Sequence, residues 1–409
     1  MNFSNKSEIA PFPYHCDKAW SVILENDTKV MVPSGAIKEK EPPKFPVFFN
    51  PAAKFNRDVS ILIYKAFTDS KKNNEISFVD TMTGSGIRGL RVANEIPKIT
   101  KIIFNDFNYF SVHISKINAI LNNVYNRCEF YNKEICDFLS TTINFENRAT
   151  IVDIDPFGTP APYLDCVLRS VENGGLISVT ATDTAVLCGV YPKVCYRKYY
   201  GYPLRTNYSE EIGVRLLISS IALIASRLDL SIIPVFSHGY RNYIRVYCKI
   251  SKSNYFANKV HEKLGYVVHC FNCRYRYYVK SLYGIPNCND CHKRVTIGGP
   301  LWTSQIFDKE ILCKITDPIA ESGCPHIESD KSNHNSILDF FSVALSELDA
   351  IPFYYVNDEI GKMTKKNVMS VTKIIETLKM NGYQSSKTVF APNGFKTNAS
   401  ITEIKKLLN

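Results

Sequence analysis

Long apolar runs are missing from this chain. No uncharged stretch reaches the ~18 residues a membrane helix requires. The longest candidate, Leu216–Ala225, is soon followed by Arg227 and Asp229, so no membrane partner is expected. Met1–Asp17 contains no contiguous apolar segment of the kind a secretion signal carries. No internal repeat and no long low-complexity tract appears. The 13 cysteines, spread from Cys16 to Cys324, are odd in number and do not form the dense set of a small disulfide scaffold. The expectation is an intracellular protein in a reducing compartment, with most thiols acting as small buried apolar groups. Nucleus, cytoplasm and organelle are not separable on these grounds.

What is present suits sizeable cores. The chain has 409 residues, 45% of them hydrophobic and 22% charged, so two or three domains are expected and a disordered polyelectrolyte is excluded. The formal charge of +10 hints at a polyanionic partner and says nothing of the fold. Ala19–Leu24 and Lys29–Val32 suit a hairpin, and the Pro-rich turn Glu41–Pro46 separates it from a helix over Ala53–Phe67. From Ile76 strands and helices alternate. Strands are expected at Ile76–Asp80, Lys101–Asn105, Thr150–Ile154, Leu176–Thr180, Ile232–Phe236 and Tyr243–Ile250. Helices are expected at Leu90–Glu95, Tyr109–Leu121 and Ser209–Leu228. This pattern predicts an α/β fold with a parallel, doubly wound sheet. After about Ser251 an α+β region is expected, with helices at Phe256–Leu264, Ser336–Leu348, Lys366–Met380 and Thr402–Leu408.

Two segments carry chemistry. Gly84-Ser-Gly-Ile-Arg-Gly89 matches G-x-G-x-x-G directly after a strand, and Asp106 ends the next strand, where an acid can bind both hydroxyls of a ribose. A nicotinamide dinucleotide and S-adenosylmethionine both fit this pattern. Asp80 and Asp137 add acids along the same sheet edge; they suit a sulfonium and an ammonium and would repel a pyrophosphate, which favours adenosylmethionine. Ile151-Val-Asp-Ile-Asp-Pro-Phe-Gly158 places Asp155 and Phe157 at the carboxyl end of a strand. An exocyclic amine is a poor nucleophile because its lone pair feeds the base ring. A carboxylate accepting its N–H bond restores that density and can take the released proton, while an aromatic ring stacks on the extruded base. A helix cap and a packed ring are the plainer alternatives for Asp155 and Phe157. Thr180-Ala-Thr-Asp183 could wall the same pocket or simply end a strand.

Cys270-x-x-Cys273 and Cys288-x-x-Cys291 have the spacing of a structural zinc site, with four thiolates and no open position. His269 or His292 could replace one ligand. The stretch Arg241–Arg294 holds 11 Lys and Arg against two acids, with tyrosines interleaved, so nearly all the net charge sits there. Phosphate contacts with stacking rings fit RNA binding.

Taken in order, Phe48-Phe-Asn-Pro51, Asn56-Arg-Asp58, Asp80-x-x-x-Gly-Ser-Gly-Ile-Arg88, Asn105-Asp106, Asp153-x-Asp-Pro-Phe-Gly158, Val179-Thr-Ala-Thr-Asp183 and Gly298-Gly-Pro-Leu-Trp302 resemble the tRNA (guanine-26-N2)-dimethyltransferase family. The resemblance implies a Rossmann-like class I S-adenosylmethionine-dependent methyltransferase sheet over residues 1–250, with an N-terminal hairpin extension. It implies a C-terminal α+β tRNA-binding domain over 251–409, with the zinc-knuckle segment at 266–295. The implied activity is transfer of methyl groups to N2 of guanine 26 in tRNA, once and then again. By position Asp155 resembles the catalytic acid/base, and Phe48 and Phe157 the aromatic pair that holds the guanine; Phe49 fits the same place as Phe48. Arg57, Asp80, Gly84, Gly86, Arg88, Asp106, Asp137 and Phe138 resemble cofactor contacts. Arg57 could clamp the methionyl carboxylate, or pair with Asp58 or Asp69. A monomer without a DNA partner is expected. A non-catalytic, zinc-stabilised RNA-binding protein on a methyltransferase scaffold is the alternative.

Overall fold

Short runs of valine, isoleucine and phenylalanine that pairing strands can bury on both faces make up the centre of the protein. The computed structural model describes residues 19–39, 41–72, 75–144, 146–240, 242–285, 287–317, 331–364 and 369–408, without the side chains of 331–336. The Met1–Asp17 segment, Cys324, Arg241 and Lys366 lie outside the described residues. The N-terminal hairpin forms as expected, from β1 (Trp20–Glu25) and β2 (Thr28–Pro33), with Glu25 paired to Thr28.

The central sheet has seven strands: β3 (Ser77–Asp80), β4 (Lys101–Asn105), β5 (Cys128–Tyr131), β6 (Ala149–Ile154), β7 (Val171–Ala181), β8 (Leu230–Tyr240) and β9 (Tyr243–Lys252). Their order is β5-β4-β3-β6-β7-β9-β8. The first five are parallel, whereas β9 runs antiparallel to both β7 and β8. The sheet is therefore mixed, where the alternation predicts a parallel one. Tyr240 pairs with Tyr243 across a tight turn, and a parallel return needs a crossover of about a dozen residues or more. Because β3, β4 and β6 point the same way, their carboxyl ends gather Asp80, Asp106 and Asp155 on one edge.

Three antiparallel strands follow: β10 (Leu264–His269), β11 (Arg276–Val279) and β12 (Thr296–Trp302), in the order β11-β10-β12. The helix expected over Phe256–Leu264 is broken into Asn254–Asn258 and Val260–Lys263 and gives way to β10. A last small sheet joins β13 (Tyr355–Val356), β14 (Ser385–Lys387) and β15 (Gly394–Thr397), backed by the helices Val371–Met380 and Ile401–Leu408. The main apolar core does not stop at residue 250. It continues through Val267, Trp302, Leu312, Phe341 and Phe353, while smaller clusters stand apart between Tyr355 and Leu408, under the N-terminal hairpin and at the cysteines.

A buried ionic cluster fastens the hairpin to the sheet. Arg91, essentially fully buried, reaches Glu25 at 2.9 Å, Asp58 at 2.5 Å and Glu95 at 2.5 Å. Glu25 also takes two bonds from Arg57, at 2.7 and 2.5 Å. Burial would raise the Glu25 carboxyl, yet Arg57 and Arg91 hold it down to about 2. Its folded value lies below the unfolded one, so the stabilisation is present above pH ~4.5 and fades as pH falls towards ~2. Glu25→Gln leaves two buried guanidiniums short of charge; a loss of about 3–5 kcal/mol is expected in urea unfolding at neutral pH. An unchanged midpoint would remove the cluster from the account.

Candidate active site and cysteine cluster

β3 ends in a sharp turn into the helix Ile87–Glu95, and sterics explain its glycines. Gly86 sits at φ +81°, where a Cβ would come within 2.8 Å of the Ser115 hydroxyl. At Gly89 a Cβ would come within 2.4 Å of the Phe104 ring, so helix and strand approach closely only without side chains there. Asp106 closes the turn: Oδ2 accepts the Gly84 N–H at 2.8 Å and Oδ1 the Asn108 N–H at 2.8 Å. Burial lifts its carboxyl above the usual range against the pull of those N–H groups. Asp80 lies beneath the turn and accepts from Gly89 N–H and the Thr83 hydroxyl, both at 3.3 Å. Burial and neighbouring Asp153 push its carboxyl up to about 7. With 3% exposure, it shapes the turn from beneath.

Asp155 follows β6 and keeps about a third of its side chain open to solvent. Arg88 fixes its orientation, with Nη2 2.5 Å from Oδ2. The same guanidinium donates Nη1 to the Ser60 hydroxyl at 2.8 Å and Asn56 Oδ1 at 3.1 Å, and its Nε faces Asp153 at 3.6 Å. Asp153 is fully buried, yet Arg245 and Arg88 hold its carboxyl below the usual range. Arg245 also holds the Thr180 and Tyr64 hydroxyls. A connected polar network thus runs from the centre of the sheet to Asp155. Arg88, expected at the cofactor, is placed by the structure on the carboxylate itself.

The Phe157 ring is 58% exposed and stands edge-to-face with Phe48, centroids 4.7 Å apart. Phe49, the alternative to Phe48, is buried in the hairpin cluster with Val30, Val32 and Ile87. Lys44 places its ammonium 4.8 Å from the Phe157 centroid. The loop after β6 is clasped to the loop after β7. Gly158 N–H donates to Thr182 Oγ1 at 2.6 Å, and its carbonyl accepts from Thr182 and Asp183 N–H. Asp183 in turn receives the Tyr199 hydroxyl at 2.7 Å and the Lys198 ammonium at 3.3 Å.

Three further expectations meet a different geometry. Arg57 is not free to clamp a ligand carboxylate, nor paired with Asp58 or Asp69, because Glu25 already holds it with two bonds and Nη1 donates to the Asn50 carbonyl at 3.1 Å. The Phe138 ring is wholly buried against Tyr131. Asp137 is exposed in the first turn of the helix Ile135–Thr141, with its N–H capped by Glu134. Cys136 and Cys166 form a disulfide between that helix and Leu164–Ser170, which the expectation of a reducing compartment with mostly apolar, buried thiols did not include. Ser60 and Arg245 are site-supporting residues that sequence reasoning missed, and Asn56 and Tyr199 were given no role although Asn56 stands in a run that carries the resemblance. For Arg245, a charge inside the apolar strand Tyr243–Lys252 was the available signal.

The cysteine quartet does assemble. Its four Sγ atoms lie within 4.8 Å of one another, with Cys270–Cys291 at 3.4 Å and Cys273–Cys288 at 3.5 Å. The two knuckles share one backbone pattern: Arg274 N–H returns to the Cys270 carbonyl at 2.8 Å, and His292 N–H to the Cys288 carbonyl at 3.0 Å. Tetrahedral zinc with Zn–S bonds of about 2.3 Å sets sulfurs ~3.8 Å apart, so the donor set fits a closed structural site. His269 is engaged elsewhere, with Nδ1 2.9 Å from the Tyr208 hydroxyl. Two arginines of the basic segment also turn inward. Arg245 pairs with Asp153, and Arg276 pairs with Glu359 at 2.5 Å between the Tyr208 and Tyr355 rings.

A mixed sheet in which β9 alone runs against its neighbours, a glycine turn closed by an acid, and Asp-Pro-Phe at the end of β6 define a class I methyltransferase fold. The chain belongs to the N2,N2-dimethylguanosine tRNA methyltransferase family, whose model matches residues 26–409. A tRNA (guanine(26)-N(2))-dimethyltransferase of Methanosarcina mazei is 33% identical over 398 residues, covering 94% of this chain and 97% of the relative. A tRNA (guanine(26)-N(2)/guanine(27)-N(2))-dimethyltransferase of Aquifex aeolicus is 32% identical over 387 residues, covering 94% and 95%. The structure of Trm1 from Pyrococcus horikoshii with S-adenosyl-L-methionine superposes with TM-score 0.80 at 26% identity, covering 95% of this chain and 99% of that one.

Metal analysis of the purified protein is expected to find about one zinc per chain, lost with Cys273→Ser together with part of the thermal stability. A full-length protein that is folded and metal-free would contradict the assignment.

Proposed function

We propose that this protein transfers methyl groups from S-adenosylmethionine to the exocyclic N2 of guanine 26 in tRNA, giving first the monomethyl and then the dimethyl base. The observation that carries this reading is the Asp155 carboxylate, fixed by Arg88 at the end of β6 and neighboured by the half-open Phe48–Phe157 pair. The names of the relatives and the solved complex with S-adenosyl-L-methionine support the substrate and the cofactor. Work on tRNA puts the protein inside the cell.

The cofactor, when bound, supplies an electrophilic methyl group on its sulfonium. Asp106, beside the glycine turn, binds ribose hydroxyls, and exposed Asp137 is the second acid of that edge. The open Phe157 ring, braced edge-to-face by Phe48, stacks on the extruded guanine, whose extrusion costs a few kcal/mol of unstacking. Asp155 would accept a hydrogen bond from the N2 amine, push electron density back onto nitrogen and take the proton as the N–C bond forms and the S–C bond breaks, the electron pair staying on sulfur as a neutral thioether. A monomethylated N2 retains one N–H, so the same carboxylate serves the second transfer. Arg57 falls outside this machinery and braces the hairpin through Glu25.

Asp155→Ala is expected to lower labelled methyl incorporation into an unmodified tRNA transcript by about 10²–10⁴-fold. Binding of the tRNA should remain within a factor of a few. Turnover near that of the unaltered protein would remove Asp155 from its role.

A further inference from the structure

Exposed aromatic rings gather at a second place, away from the zinc knuckles. Between Val190 and Arg205, Tyr191, Tyr196, Tyr200 and Tyr202 are each 45–55% exposed. Apolar ring faces are normally buried, and several left open in one short segment mark a contact surface. Tyr196 and Tyr202 already stack on each other, with centroids 4.6 Å apart and planes 17° from parallel. Lys193, Arg197 and Arg205 are exposed in the same stretch, which contains no acid.

The position of this surface follows from its attachments. Tyr199, in the helix Pro192–Tyr199, turns inward and ties Thr159 at 2.8 Å, in the loop that carries Asp155, to Asp183 at 2.7 Å, in the loop clasped to it. Tyr202 exchanges backbone hydrogen bonds with Gly299 of β12, at 2.9 and 2.7 Å. β12 pairs with β10, from which the first cysteine knuckle leaves. The segment therefore bridges the target-base pocket and the zinc-bearing sheet. Lys198 adds its charge to Asp183 at the pocket side.

We infer that the Tyr196–Tyr202 stack is a platform for unstacked nucleotides of the same tRNA that flank the extruded guanine, with Lys193, Arg197 and Arg205 on their phosphates. The inference rests on the reading of the chain as a tRNA methyltransferase. The chemistry matches single-stranded nucleic acid: π-faces accept any base, and the cations follow the backbone. Extruding a guanine breaks the stack on both its sides, so a ring pair beside the pocket replaces stacking the neighbours lose. Unlike a point charge on the zinc segment, it acts on the nucleotides next to the reaction.

The test compares Y196A/Y202A, Y196F/Y202F and the single Y196A with the unaltered protein. Kd for a tRNA transcript at fixed salt, KM and kcat for its methylation, and calorimetric affinity for S-adenosylmethionine are measured. The double alanine variant is expected to raise Kd and KM for tRNA about 10-fold or more, with the phenylalanine variant within about 2-fold of the unaltered protein. Y196A, which keeps the Tyr202 backbone pairing, is expected to fall between them with cofactor affinity intact. Unchanged tRNA affinity in the alanine variants overturns the platform, as does equal weakening in the alanine and phenylalanine variants. If the unaltered protein methylates no tRNA, the functional reading fails, and the binding comparison still decides the platform.

Discussion

One guanidinium organises the chemical end of this molecule. Arg88 leaves the first turn of the helix after the glycine loop and lies between Asp155 on one side and Asp153, Ser60 and Asn56 on the other. Three separate stretches of chain converge on it: the helix Lys54–Asp69, the turn after β3, and β6. A side chain with five donors in a fixed fork can satisfy so many partners at once, and a lysine cannot. The orientation of Asp155 is therefore set by the folding of the whole sheet, through the Asp153–Arg245 pair buried behind it. The same requirement explains why so much charge is buried at the centre of an otherwise apolar core.

Charge is partitioned on a finer scale than the segment totals suggest. The surplus between Arg241 and Arg294 is a surplus of residues, and two of them, Arg245 and Arg276, serve internal pairs. Among the described remainder, Arg274, Lys293 and Arg294 are exposed beside the cysteines, and a further acid-free stretch, Val190–Arg205, reaches the Asp183 loop through Tyr199. The acids of the sheet edge are not equivalent either. Asp80 is sealed under the turn, Asp106 closes it, Asp137 stands open and Asp155 is held ready by Arg88. Recognition of a cationic cofactor and of a polyanion can thus proceed on adjoining surfaces without one field cancelling the other.

Much of the fold was legible because it is local. Lys101–Asn105 and Tyr109–Leu121 match the expected spans to the residue, since apolar runs and periodicity mark them. The glycine turn, Asp106, Asp155 and the cysteine spacing were legible for the same reason: the motif is contiguous and the strand that presents it is apolar. Illegible features depend on partners far away in sequence. Nothing near Arg57 announces Glu25, 32 residues earlier, across a hairpin and a Pro-rich turn. The burial of the Phe138 ring against Tyr131 depends on how the helix Ile135–Thr141 packs on the sheet. The strand β5, four residues long and half-buried at the sheet edge, is too short for its bounds to be read, although the alternation requires a strand before Asp137. The antiparallel return of β9 was implied by its two-residue turn, a signal outweighed by the alternation before it.

The central claim is that the Asp155 pocket transfers methyl groups to one exocyclic nitrogen of one base. Nucleoside mass spectrometry and primer extension on an unmodified tRNA transcript, incubated with the protein and S-adenosylmethionine, test it most directly. The account predicts N2-methylguanosine appearing first and N2,N2-dimethylguanosine following, both at position 26. A methyl on a ring nitrogen, on a ribose or on a base other than guanine would contradict it.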